Sequence, residues 1–572
     1  MMKKVKRYSI FVIIFLTSFF YSCDDVLNVS PKGAPNAESL SNQQGVEASL
    51  IGVYSSLNGD PGHLGSVAAW ASSVSNWVMG GVRSDDAYKG TVIGDQQPIN
   101  ALEAFVVQPT NQYVDLHWTA HYANIARAND VFQLLEQAED MTDEQKTQVE
   151  AQLRFLRSHF YVELVRVHKN VPWIDHTTEN PDAVPNDQPI WEQILADFQF
   201  AADNLPHRQN EPGRATMWAA KTYMAYVYML RGMHAEAKPI LEDVYQNGGF
   251  SLMPQFIQNY LIEYNNNQES IFEIQAAVNE GGTDGDGSNA LTGDSIIGMT
   301  FMGGSGFYQP SHNLVSAFRV NENGLPEFLG EPYSVEHVIP FDETGQTVPY
   351  SGGVDPRLDH AIGRPGVPFL DWGVHEGNDW IRDPVNGGPY ISKKQMFLES
   401  EVGSGSQTSG RTFPNANNYR KFKLSMVILW LAECEVEAGD LTRAAELVNQ
   451  LRNRAKQSEV VRFEDGTPAA NYNVEPYPVP FPNQEYARNA VRHEHRLELS
   501  MEGYRFYDLN RWGITAEIMN QYLDVEGNNF RGYLRGTNFS ENQHEIAPIP
   551  QVQIDLSLDE NRQPVLTQNP GY

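Results

Sequence analysis

Two segments of this chain repeat one spacing of small residues. Ala225 is followed seven residues on by Gly232 and then by Ala237; Ala432, Gly439 and Ala444 reproduce the interval. Small side chains let two helices approach closely, and a glycine between them turns the chain without a Cβ penalty. Each segment therefore reads as a helical hairpin. The two hairpins are far apart in the chain, so a long insertion must separate them.

Such spacing suits tetratricopeptide helix pairs, although ordinary helical hairpins satisfy it too. Other helices surround it. Apolar residues at helical spacing predict helices over 42–57, with Val46, Leu50, Val53, Tyr54 and Leu57, and over 115–137, with Leu116, Ile125, Phe132 and Leu135. Thr142 with Gln145 forms a capping box that opens a helix through Val165, closed by Val171-Pro172. Trp191 to Asn204 reads as a further helix, stopped by Pro206.

From Gly281 to Tyr419 helical periodicity mostly fails and glycine and proline are dense, as in Gly303-Gly304, Gly352-Gly353 and Gly387-Gly388-Pro389. Loops this long in a folded domain usually carry function.

The densest motif is Arg492 to Gly513. It reads as a helix up to Met501, a glycine stop at Gly503, and a block of aromatic, Asp and Arg residues folding back on that helix as a structural clasp. Its pattern Arg496-x-Glu498-Leu499-x-x-Glu502-Gly503-x-Arg505-x-x-Asp508-Leu509-x-Arg511-Trp512 resembles the C-terminal signature of the SusD/RagB family, surface nutrient-binding lipoproteins of Bacteroidetes-type bacteria. Asp355-Pro356-Arg357-Leu358, Tyr390-Ile391-Ser392-Lys393-Lys394, Asn449-x-Leu451-Arg452-x-Arg454-Ala455 and the closing Gln568-Asn569-Pro570-Gly571-Tyr572 extend the likeness. The resemblance implies a mainly α SusD-like fold with interrupted tetratricopeptide pairs. Its divisions would be a signal peptide (1–22), a lipidated tether (23–40), an N-terminal helical region (41–280), a loop-rich ligand-binding region (281–425) and a C-terminal RagB/SusD region (426–572).

The N-terminus fits that picture. Lys3, Lys4, Lys6 and Arg7 precede an apolar run too short to span a membrane comfortably, and Phe20-Tyr21-Ser22-Cys23 resembles a lipobox. Acyl chains on Cys23 would anchor the protein. By family analogy, Asp24-Asp25 would direct it to the outer face of the outer membrane. The other cysteine, Cys434, lies in the second hairpin and reads as a small buried apolar residue.

With 72 Asp and Glu against 41 Lys and Arg, the formal net charge is −31, which argues against nucleic-acid binding and disfavours strongly anionic polysaccharides. Sugars present C–H faces and hydroxyl rims, so their platforms combine aromatic faces with Asp, Asn, Arg and Gln. Two stretches have that composition. The first runs from Trp70 through Trp77, Gly80-Gly81, Arg83, Asp85 and Asp86 to Tyr88; the second runs from Trp372 to Trp380, with His375, Glu376, Asn378 and Asp379 between. Phe307-Tyr308 is a third candidate. The ligand residues expected are Trp77, Arg83, Asp85, Tyr88, Tyr308, Trp372, Asn378 and Trp380.

No cofactor or metal is expected. Asp284 to Ser288 faintly resembles a calcium loop without its closing Glu, and His493 and His495, two apart on a helix, point to different faces. Asp85-Asp86 makes a poor glycosidase pair, because adjacent carboxylates seldom straddle a bond. No phosphate loop, nucleophile elbow or HExxH motif occurs. The resemblance thus implies a binder of oligosaccharide or polysaccharide, not an enzyme, serving a SusC-like TonB-dependent β-barrel. A peptide-capturing RagB-type binder, a surface glycoside hydrolase and a purely structural scaffold are the alternatives.

Overall fold

The computed structural model describes residues 37–59, 64, 66–278, 304–327, 329, 351–394, 396–406 and 415–572. The signal and most of the tether with Cys23, Gly303, and the Asp284 to Ser288 loop lie outside these residues. What is described of the tether closes with one helical turn, Ala37–Leu40.

Eleven helices carry the argument. They are α1 (Gln43–Ser55), α2 (Gln112–Gln137), α3 (Asp143–His168), α4 (Trp191–Asn204), α5 (Met217–Leu230), α6 (His234–Asn247), α7 (Leu424–Ala438), α8 (Leu441–Gln457), α9 (Gln484–Glu498), α10 (Arg505–Trp512) and α11 (Thr515–Asn529). Their starts follow side-chain chemistry. The Asn42 carboxamide accepts the Gly45 N–H (3.0 Å), and the Asn111 carboxamide accepts those of Tyr113 and Val114. The Thr142–Gln145 capping box forms reciprocally, at 3.2 and 2.9 Å. α3 ends at His168, before Val171-Pro172, because Lys169 takes a positive φ of 67°.

Helices α2 to α6 pack each on the next, and α6 packs on α7, α7 on α8, and both on α9. The two hairpins with the repeated spacing, α5–α6 and α7–α8, are therefore neighbours although the insertion parts them. The reason is a two-stranded antiparallel ribbon, β2 (Ser270–Ile274) against β4 (Tyr419–Lys423), formed where the insertion leaves and returns. β4 runs directly into α7. Lys238 to Glu435 (2.7 Å) and His234 to Glu433 (3.1 Å) then bridge α6 and α7. Ala225, Ala237, Ala432 and Ala444 are fully buried at these contacts, and Gly232 and Gly439 turn at φ 68° and 86°. Cys434 is buried as a free thiol, its Sγ 3.7 Å from Met229 Sδ.

One core fills the space between these helices. A second joins a π-helical turn at Trp77–Val82 and the strand pair β1 (Ala87–Gly90) and β3 (Phe307–Pro310) to the C-terminal segment. A small third core, Phe369, Trp380, Ile381, Ile391, Met396 and Phe397, supports the loops of the insertion. Among the described residues no helix is long and apolar enough to cross a membrane.

The helix expected through Met501 stops at Glu498. Lys394 Nζ donates to the Glu498 carbonyl (2.9 Å), the acceptor a continuing helix would offer to Glu502 N–H. The Glu502 N–H bonds to Leu499 instead, and the chain turns through Met501 and Gly503, both at positive φ. Gly503 is required here: a Cβ would stand 1.9 Å from the Ser75 carbonyl.

Candidate functional site

The motif residues converge on one interior charge network. Arg357 pairs with Asp355 (2.7 Å), Glu494 (2.8 Å) and Glu498 (3.5 Å), all fully buried. Arg452 pairs with Glu494, and Arg454 with Glu498 and Glu269. Glu502 accepts from Lys394 and Lys423, both at 2.7 Å, and from Tyr260 (2.8 Å). Arg511 and the Trp512 indole close on Glu433. Burial opposes ionisation of Glu494 and Glu498, but the flanking guanidiniums overcome it and hold both carboxyls at about 2. Asn569 of the closing motif ties the C-terminus inward, donating to the carbonyls of His168 (2.9 Å) and Ala547 (2.7 Å).

The first expected sugar platform belongs to this interior, which corrects the reading from composition. Trp77 is fully buried against Phe307 and Tyr308, ring centroids 5.6 and 6.2 Å away. Arg83 donates to the His544 carbonyl (2.8 Å) and lies over the Phe506 ring. Asp85 pairs with Arg505 (2.8 Å) and Arg496 (3.1 Å), and Asp86 with Arg496 (2.8 Å). The Asp85 carboxyl sits at about 2, because the two guanidiniums outweigh its burial; Asp86, more weakly compensated, is raised by burial. Tyr88 donates to Glu526 (2.8 Å), and Tyr308 is buried in β3. The glycines mislead here. A Cβ on Gly80 would meet the Gly503 carbonyl at 2.0 Å, and one on Gly81 the Tyr308 ring at 2.3 Å. They allow tight packing and leave no exposed loop.

The second platform stays at the surface in part. Trp372 is half-buried; its indole donates to the Phe397 carbonyl (2.9 Å), and its ring meets Phe397 edge-on. Asp371 accepts the N–H groups of Glu399 (2.6 Å) and Ser400 (3.1 Å), which pins the loop. Asn378, Asp379 and Glu376 are exposed. Trp380 is a correction: it packs beneath the loop on Phe369 (5.8 Å) and His375 (5.0 Å) and is buried. Burial pushes the His375 imidazole down to about 3, so it is neutral. Of the residues expected in the second stretch, Trp372 stays half-buried and Asn378 exposed, on loops supported by the third core.

Among the described residues no group of three or more His, Cys, Asp or Glu side chains could hold a metal ion. His493 and His495 are both buried in the clasp.

Among the described residues, clefts open elsewhere as well. One of about 300 Å³ lies between Trp118, Tyr122, Ile174 and Leu556. Two others, of about 400 and 430 Å³, flank the segment Glu211–Arg214 and share it as a wall. Reasoning from tryptophan clusters missed this pair. The signals were amide runs, His207-Arg208-Gln209-Asn210 and Asn265-Asn266-Asn267-Gln268, and the turn Gly248-Gly249-Phe250.

Comparison with known proteins bears on the whole chain. Residues 268–572 match the model of the SusD family, and residues 27–229 match one described as starch-binding, associating with outer membrane. SusD-like protein P2 of Formosa agariphila is 24% identical over 99% of this chain and 100% of its own. A SusD superfamily protein from Bacteroides vulgatus superposes with a TM-score of 0.67 at 20% identity, covering 93% of this chain and 100% of that one. Surface glycan-binding protein A from Bacteroides thetaiotaomicron, solved in complex with laminarihexaose, gives 0.65 at 19% identity, covering 92% and 99%.

Proposed function

The chain belongs to the SusD family, and from that membership we propose that it captures oligo- or polysaccharide at the cell surface without cleaving it. Captured glycan passes to a SusC-like TonB-dependent barrel, over which the helical scaffold acts as a lid. Acyl chains on Cys23 anchor the lid to the membrane. The outer-membrane association in the description of the family matching residues 27–229 supports this location, and the laminarihexaose complex of a structural neighbour supports the ligand class.

The observation that carries the reading is the Trp372 loop. Of the aromatic clusters singled out by composition, it keeps a half-buried tryptophan beside exposed polar residues among the described residues. An indole face accepts the C–H side of a sugar while Asn378 meets its hydroxyls. The adjacent carboxylates Asp85 and Asp86 are committed to Arg496 and Arg505, which supports binding without hydrolysis.

Affinity electrophoresis of the chain after Cys23, in gels containing neutral glucans, mannans, xylan or alginate, tests this. Retardation by a neutral glycan, weakened at least about tenfold (~1.4 kcal/mol) in Trp372→Ala, is expected. Retardation unchanged in that variant refutes the site, and no retardation in any gel refutes glycan capture.

A further inference from the structure

The larger cleft beside Glu211–Arg214 has the construction of a second ligand site, and it shares no residue with the Trp372 loop. Its volume of about 430 Å³ lies within the range of small-ligand pockets, about 300–1,000 Å³. Four segments build it: the α4–α5 connection, the end of α6, the turn before β2, and β2 itself. Phe250 is half-buried in its wall. The ring takes this place because Gly248 has no Cβ, which would stand 2.6 Å from it, and because Gly249 turns at φ 73°.

The remaining lining is rich in amides. Gln209 Nε2 donates to the Ala215 carbonyl (2.7 Å), and Gln268 Nε2 to that of Leu252 (2.9 Å). Asn266, at the strained φ of 57°, exchanges two 2.9 Å hydrogen bonds with Gln275. A carboxamide offers two donor hydrogens and two acceptor lone pairs, so each of these groups is oriented and retains hydrogen-bonding capacity, Asn266 one donor hydrogen and one lone pair beyond its pairing with Gln275. Exposed His207 and Arg208 stand at the rim. An aromatic wall with oriented amides suits sugar hydroxyls better than aliphatic peptide side chains, which would need apolar sockets. The charged lining balances, Arg208 and Arg214 against Glu211 and Glu273, which favours a neutral ligand.

We propose that this cleft is a second carbohydrate site, binding a neutral oligosaccharide with a ring against Phe250 and hydroxyls on Gln209, Asn266 and Gln268. Such a site would hold a long glycan at a second point.

Hydrogen–deuterium exchange of the purified Trp372→Ala chain with laminarihexaose, cellohexaose, maltohexaose, mannohexaose and xylohexaose tests it independently of the first site. At least one hexaose should slow exchange severalfold in 207–216 and 248–252. Adding Gln268→Ala, at an exposed side chain with a single hydrogen bond to the Leu252 carbonyl, should abolish that protection with the melting temperature nearly unchanged; Phe250→Ala should abolish it too, at the cost of a lower melting temperature because the ring also packs on the helical core. Protection in the unsubstituted chain that disappears in Trp372→Ala overturns the proposal. So does protection by none of the five sugars, or protection by a neutral peptide mixture in their place.

Discussion

Replacing Glu502 with Gln probes the interior network most directly. The carboxylate is 4% exposed and serves Lys394, Lys423 and Tyr260. Glutamine preserves its shape and leaves two buried ammonium groups without their charge partner. Breaking a buried pair costs about 3–5 kcal/mol. A ceiling follows from titration. Neutralising a lysine of ordinary pKa about 10.4 at pH 7 costs about 4.6 kcal/mol, and at that point the variant simply sheds the proton. Burial has already pushed Lys394 down to about 8, against the pull of Glu502. Without Glu502 it falls further. For a base whose folded pKa is depressed, the unfolded chain binds more protons between the two pKa values, so stability rises with pH there. In the variant this rise begins below pH 8. At pH 9 the neutralisation costs only about 1.9 kcal/mol; the parent, with Lys394 at about 8, itself gains about 1.3 kcal/mol over the same range, so the deficit should shrink by about 1.4 kcal/mol, roughly a third. Unfolding entropy of about 2.1 cal/mol/K per residue, over a cooperative fold of roughly 500 residues, converts 3–5 kcal/mol into about 3–5 °C. Calorimetry of both proteins at pH 7 and 9 reads this. A fall below 1 °C at pH 7, or a deficit that does not shrink by pH 9, refutes the argument.

Other predictions concern single atoms. Gly503→Ala, with its Cβ 1.9 Å from the Ser75 carbonyl, should prevent folding or lower the melting temperature far more than Gly513→Ala, which at φ 68° and with open space costs about 1–2 kcal/mol; equal melting temperatures would contradict the interlock. Trp77→Ala should destabilise by about 3–5 kcal/mol in urea titration and leave glycan retardation of the folded fraction unchanged. Cys434, its thiol pushed up to about 12 chiefly by burial, should resist a thiol reagent at pH 8 until the chain unfolds; rapid native labelling would contradict its placement. Glu526, raised to about 7 chiefly by burial, favours the folded state fully only below its unfolded value and loses that contribution as pH rises through 7. Glu526→Gln should therefore raise the melting temperature at pH 8 and leave it nearly unchanged at pH 4; a fall at pH 8 would reverse that sign.

Local and periodic features were legible from residue order alone. The Thr142–Gln145 box, the span Trp191–Asn204 and the small–glycine–small hairpins rest on contacts within a few residues, where chemistry and spacing suffice. The Arg492 to Gly513 motif was readable as a clasp because Arg and Glu that dense rarely remain unpaired. Which partners they take was not readable. Asp85 meets Arg496 and Arg505 across most of the chain, and the β2–β4 ribbon with the α6–α7 ion pairs makes the two separated hairpins neighbours. The same limit governed the site. Trp77 and Trp372 both stand near glycine and polar residues in sequence. Tertiary packing buries one beneath Tyr308 and the Gly80–Gly503 contact and lifts the other onto a small core of its own. Residue order specifies how the chain bends and which groups must find partners; burial depends on what arrives from elsewhere in the chain. That arrival decides whether an aromatic ring is core or platform.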